Sequence, residues 1–355
     1  MAAAEGQVIR YLEPQERRLS RELWEEAFPE DSKPFDDYYF EEKLKDNRIL
    51  VLCEAGRIDS MIHLNPYVLQ AGGRRWRVDY LVGVATRKDR RHRGYMRRLL
   101  ARMMADMRAE EMPFCFLMPA DEAIYRPFGF TFIYRQPQPE WKDAGALERR
   151  HLIPWRDSQG KRRYLEQLAS WMNDWLQNRY QVYAVRDVRY LQRLIRELSS
   201  ENGSLDVLYD GERMIGMESW WGWTQKEQRL LYAEASYVEE RKEPKPAIMA
   251  RIIAVEQFVR VIRLKDDVKD KQRTLVLQLE DPLVQANQGL WKWNLNHETS
   301  WLEPVGQWQE AYPIHLHMNI TELTGWLFGY RIPDQAAEYT DVIETLHGVF
   351  LDEVV

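Results

Sequence analysis

The chain has 355 residues, 45% of them hydrophobic and 12% aromatic, with a net charge of −6. That is long enough for more than one domain and apolar enough for packed cores, which excludes a disordered chain. Only two cysteines occur, Cys53 and Cys115, which argues against a disulfide framework and a Cys-rich metal site. No run approaches the roughly 18 apolar residues of a membrane span, and no basic segment followed by an apolar core opens the chain, so a soluble cytoplasmic protein is expected.

In chain order, helices are expected at about 20–27 and 36–45, the second carrying acidic side chains among aromatic ones. Strands at 49–54 and 58–64 flank Ala55-Gly56-Arg57, a short glycine-containing turn that marks a hairpin. From Trp76 to Val84 every second residue is apolar, the period of a strand with one buried face, and that strand should end near Thr86. After Gly94 the spacing changes: Met96, Leu99, Leu100, Met103, Met104 and Met107 fall on one stripe of a helix. Between strand and helix lies the basic loop Arg87 to Gly94. Its amides and those of the first helical turn have no intrahelical partners and lie at the positive end of the helix dipole. Gly94 permits close approach and Arg91 and Arg93 add charge, so a pyrophosphate is a natural guest. One glycine alone excludes the Gly-rich dinucleotide fingerprint. Residues 87–108 hold nine Lys or Arg against two Asp, which keeps nucleic-acid contact open as a second reading.

Arg91-His92-Arg93-Gly94-Tyr95-Met96 resembles the Arg/Gln-x-x-Gly-x-Gly/Ala motif of the GNAT superfamily of N-acetyltransferases, with Met96 departing from the small residue of the pattern. The resemblance implies a mixed sheet splayed at its cofactor strand. It also implies acetyl-CoA held by the backbone of Val84 and Thr86 and by the loop residues Arg91, His92, Arg93, Gly94, Tyr95 and Met96. Past the helix, 113–119 reads as a strand buried on both faces. Ile124-Tyr125-Arg126-Pro127-Phe128-Gly129-Phe130 follows, and this motif resembles the Eis (enhanced intracellular survival) branch of the superfamily. There the tyrosine, here Tyr125, protonates the departing thiolate of coenzyme A, a role that suits a phenol with a pKa of about 10.

A strand at 131–135 and the linker Gln136-Pro137-Gln138-Pro139 end a first domain, 1–140. In 150–267, helices at 161–178 and 188–198, a hairpin about Asp210-Gly211, a strand at 230–235 and a helix at 247–264 repeat the first domain's order. Pro244-Lys245-Pro246-Ala247 replaces the anion loop with two prolines that lack donors, so this reads as a degenerate GNAT-like domain without a cofactor site. From 268 to 355, strands at 274–279, 290–295 and 314–320 and a helix at 321–328 form a small domain, sterol-carrier-protein-like by the resemblance. His315 and His317 alternate on one strand without a third metal ligand nearby, and no metal is expected.

The fold expected is therefore α/β (α+β): two tandem GNAT-like mixed-sheet domains plus a small sterol-carrier-protein-like domain. The Eis resemblance further implies a hexamer, an acceptor that is a small cationic amine (aminoglycoside or polyamine) or a lysine-bearing peptide, and a catalytic base at the terminal carboxylate of Val355. A lipid carrier built on the last domain is a third reading.

Overall fold

The computed structural model describes residues 6–143, 145, 147–154, 159–306 and 313–353. Its central sheet begins with β1 (Gln7–Tyr11), β2 (Arg48–Glu54), β3 (Arg57–Ala71) and β4 (Arg74–Thr86), each antiparallel to the last. β5 (Phe114–Leu117) lies parallel to β4, and β6 (Thr131–Gln136) closes the path one strand further on. Helices α1 (Arg21–Ala27) and α2 (Lys33–Glu42) cover one face of this sheet, and α3 (Tyr95–Ala109) covers the other. The alternation in β2 explains both layers. Leu50 and Leu52 belong to the core that contains Leu99, Leu100, Met103, Met104 and Met107 of α3, while Ile49 and Val51 pack with Trp24, Tyr39 and Phe40. α2 starts where Ser32 accepts a hydrogen bond from the amide of Phe35 at 3.2 Å, with Pro34 in its first turn, a fitting pair of start signals.

The expected helix over 247–264 is a correction. Lys245–Ile252 is a strand, inserted between β5 and β6 and antiparallel to both, and a single helical turn, Val255–Phe258, follows it. Ala247, Ile248, Met249, Ala250 and Ile252 are all buried. An apolar run covered on both faces has no period that separates strand from helix, and here two waiting strand edges decide it. The middle of the chain thus completes the first domain's sheet.

The other middle elements form as expected: α5 (Gln159–Gln177), α6 (Val188–Ser200) and the hairpin Ser204–Asp210 with Arg213–Trp221. Between α5 and α6, Val182–Ala184 adds to the far end of β3, and Val349–Phe350, near the end of the chain, pairs in parallel with that strand. The last strands, in the order Ser300–Pro304, Gly289–Asn296, Gln272–Glu280, Leu316–Asn319, make a separate sheet. Its core includes Trp293 edge-on to Trp326 at 5.8 Å. Among the described residues no helix is long and apolar enough to cross a membrane.

Candidate active site

β4 and β5 meet at one residue pair, Tyr80 with Phe116. From Leu81 to Thr86, β4 keeps a neighbour only on its β3 side, so Val84 and Thr86 lie on a strand whose other edge opens into the wedge between β4 and β5. Gly83 makes the irregularity inside this stretch. Its φ is +58°, and the pairing with β3 shifts register between Met61 and His63. A Cβ at Gly83 would stand 2.5 Å from the Trp24 ring, so this position needs glycine for its conformation and for space.

The wedge leads to the loop before α3. Arg91, His92, Arg93 and Gly94 are exposed, Tyr95 is buried and Met96 is half-buried. Gly94 caps the helix at φ +74° and His92 also takes a positive φ, 63°. The neighbouring charges divide into two groups. Arg87 is tied to Glu22 and Glu26 at 2.8 and 2.7 Å, Arg90 to Glu54 at 2.7 Å and Arg102 to Asp106 at 2.9 Å, and Arg108 pairs with Glu256. Arg91 and Arg93 reach only the backbone oxygens of Thr86 and Asp89, at 3.3 and 3.4 Å, and have no carboxylate partner among the described residues. Four of the nine basic residues of 87–108 are therefore paired with carboxylates, and the arginines left without one include the two beside the open amides of α3. That donor set fits a pyrophosphate.

Tyr125 ends the short helix α4 (Glu122–Tyr125), which starts at Asp121 with its carboxylate accepting from the amide of Ala123 at 2.9 Å. The tyrosine ring is 9% exposed and lies edge-on to Phe130 at 5.9 Å. Its hydroxyl makes no hydrogen bond among the described residues, and burial pushes its pKa up to about 12. The phenol is thus a neutral donor with a free proton across the working pH range. Two contacts hold its turn. Arg97, in the first turn of α3, stands over the Phe128 ring at 5.2 Å. Arg251, from the inserted strand, donates from Nε to the Phe128 carbonyl at 2.8 Å. Arg97 thus ties the start of α3 to the turn that carries Tyr125.

Sequence reasoning missed the second part of the site. A cavity of about 540 Å³ lies between β3, β4, α6 and the chain's tail, lined by Lys43, Asn65, Tyr67, Glu197, Arg229 and Glu353 among others. It begins beside the wedge, since Asn65 pairs with Tyr80 on β4, and the Tyr67 ring stands 6.1 Å from Tyr80 and 5.9 Å from Phe116. The tail is anchored here. Arg229 donates to the backbone oxygen of Asp352 at 2.6 Å, Tyr232 to its carboxylate at 2.8 Å, and Arg186 pairs with both Asp352 and Glu353. These acids are 4% and 3% exposed. Val355 lies outside the described residues. A buried arginine 166 residues from its partner carboxylate leaves no local signal in a sequence.

The remaining expectations concern side chains placed elsewhere. The acidic and aromatic residues of α1 and α2 serve packing: Trp24 donates to Asp31 at 3.0 Å and Arg21 to Asp37 at 2.7 Å. His315 accepts from the amide of Val276 at 3.0 Å, and His317 pairs with Glu280 at 2.7 Å.

Comparison with known proteins matches two stretches of the chain. Residues 8–133 match the acetyltransferase (GNAT) domain family and residues 255–349 the sterol carrier protein domain family. No curated protein matches in sequence. Among solved structures, a GCN5-related N-acetyltransferase from Kribbella flavida is similar over 100% of both chains, with 14% identity and a TM-score of 0.73. One from Anabaena variabilis shares 13% identity over 97% of this chain and 99% of its own, with a TM-score of 0.71. Eis1 from Mycobacterium abscessus shares 11% over 98% and 99%, with a TM-score of 0.68. At these identities the likeness is one of fold, and it runs the whole length of the chain.

Proposed function

We propose that this chain, whose residues 8–133 match the acetyltransferase (GNAT) domain family, is an Eis-like enzyme that moves an acetyl group from acetyl-CoA to a primary amine of a cationic acceptor: an aminoglycoside, a polyamine or a lysine side chain. The observation that carries this reading is the wedge between β4 and β5 that opens onto the amide-lined start of α3.

Acetyl-CoA, when bound, supplies an activated thioester. In this reading the backbone of Val84 and Thr86 holds the arm of the donor along the open edge of β4. The amides from Arg91 to Met96, with the side chains of Arg91 and Arg93, hold its diphosphate. The amine enters by the cavity that Glu197 and Glu353 help to line. It must lose a proton before it attacks. We assign that proton to the carboxylate of Val355, because Glu353, two residues upstream, lines the cavity and Asp352, three upstream, is buried. Tyr125 then gives its proton to sulfur as the C–S bond breaks, and the second proton shed by the acylated nitrogen returns to the phenolate, so amide and free thiol form with charge balanced.

The middle domain, lacking an anion loop, serves in this proposal to shape the acceptor cavity, and α6 already supplies one wall of it. An acetyl-CoA consumption assay over a panel of amines tests the reaction. Turnover that Tyr125→Phe slows with acetyl-CoA binding kept supports the assignment, whereas undiminished turnover in that variant rules Tyr125 out as the acid.

A further inference from the structure

Six cationic side chains line the cavity, Lys43, Arg75, Arg77, Arg189, Arg193 and Arg229, against four carboxylates. The carboxylates are already engaged. Asp46 is shared by Arg189 and Arg193 at 2.9 and 2.7 Å. Glu197 faces Lys43 at 3.9 Å and Arg229 at 3.6 Å. Asp187 accepts from the amide of Tyr190 as the cap of α6, at 2.7 Å, and Glu353 pairs with Arg186. What is left over is positive.

Arg75 and Arg77 are exposed and make no ion pair or hydrogen bond among the described residues. Two residues apart on β4, they project to the same side of the strand. Trp76 between them packs on Phe114 at 6.1 Å and Phe258 at 5.8 Å, which fixes the strand that carries them. A bare polycation meets repulsion at such a mouth. An amine with an acidic group behind it meets Glu197 and Glu353 inside and two free guanidinium groups outside.

Resting on the acetyltransfer reading above, we propose that the acceptor is a primary amine that also bears an acidic group, a carboxylate or a phosphate, held by Arg75 and Arg77 at the cavity mouth. The spacing is that of a lysine-like molecule. Arg77 precedes Tyr80, where the wedge begins, by three residues, about 10 Å along an extended strand, and the arginine side chain shortens the gap that the acceptor itself must span. Among the acceptor classes named above, this favours the lysine type over aminoglycosides and polyamines.

The test compares matched pairs with the full-length protein and acetyl-CoA: 6-aminohexanoate against its amide, glucosamine 6-phosphate against glucosamine, and spermidine alongside. A charge-assisted contact at a partly exposed site predicts roughly a 10-fold higher kcat/KM for the acid-bearing member, a preference that shrinks with added salt. The carboxylate and phosphate pairs separate the two acid types. Arg75→Gln/Arg77→Gln should bring the ratio within each pair close to one while the folding transition stays in place. Equal rates within both pairs, or spermidine as the best acceptor, would overturn the acid-bearing class and leave acetyl transfer standing. No turnover with any amine, in a protein that retains acetyl-CoA, would instead refute the acetyltransfer reading and this proposal with it.

Discussion

Asp281→Asn tests whether the C-terminal domain helps to hold the turn that carries Tyr125. Arg251 and Asp281 are both fully buried and stand 2.5 Å apart. One carboxylate oxygen also accepts from the amides of Leu283 and Val284 at 3.2 and 3.0 Å, the other from the side-chain amide of Asn287 at 2.9 Å. The substitution removes the only counter-charge, among the described residues, of a guanidinium sealed from water and turns an NH2 toward the NH2 of Asn287. A buried pair broken on one side costs about 3–5 kcal/mol. Because Arg251 also donates to the Phe128 carbonyl and meets any Cβ placed on Gly129 at 3.0 Å, the loss should reach the Tyr125 turn. Urea unfolding would measure the stability. Arg251→Met/Asp281→Leu, which removes both charges, should recover most of it, since an apolar pair of similar volume is often no worse than the ions. kcat measured well below the transition should fall for Asp281→Asn. A single-variant cost under about 1 kcal/mol, or a double variant no better than the single, would refute the reasoning.

Tyr125→Phe is expected to lower kcat by roughly 10²- to 10⁴-fold with acetyl-CoA affinity kept. As its pKa is pushed up to about 12, the acid form persists below that value, so kcat should show no alkaline decline from this group up to about pH 10, which a pH–rate profile would check. Replacing Arg91 and Arg93 by Gln should raise the KM for acetyl-CoA by about 10-fold or more, in line with the loss of charge-assisted contacts to a diphosphate; unchanged KM values would move the cofactor elsewhere. Burial lowers the pKa of His63 to about 3. Its folded form therefore stays neutral while the unfolded chain takes up a proton below the ordinary value near 6.5. Stability should drop by about 1.4 kcal/mol per pH unit from this group as pH falls from about 6.5 toward 3, a slope that His63→Gln should remove in acid denaturation. Gly83→Ala should destabilise by about 2–4 kcal/mol, since it combines a disfavoured positive φ with overpacking against Trp24.

What could be read in the residues was whatever is local. The alternation from Trp76 to Val84, the helical stripe from Met96 to Met107 and the glycine before that helix each lie within one or two elements, so periodicity and short motifs were enough to place the strand, the loop and the helix after it. Sequence had no means to give the wedge its second half. Whether β4 and β5 part after Tyr80 depends on which strand lies beyond β5, and that strand, Lys245–Ile252, comes from more than a hundred residues downstream. Its apolar run satisfies helix and strand patterns equally, and only the two open strand edges choose between them. The cavity beside β3 and β4 is the extreme case. Lys43, Glu197, Arg229 and Glu353 are single charges in four separate stretches, ordinary in each. They come together because Val182–Ala184 and Val349–Phe350 extend the central sheet beyond β3 and bring α6 and the tail against it, where burial makes each charge depend on the next.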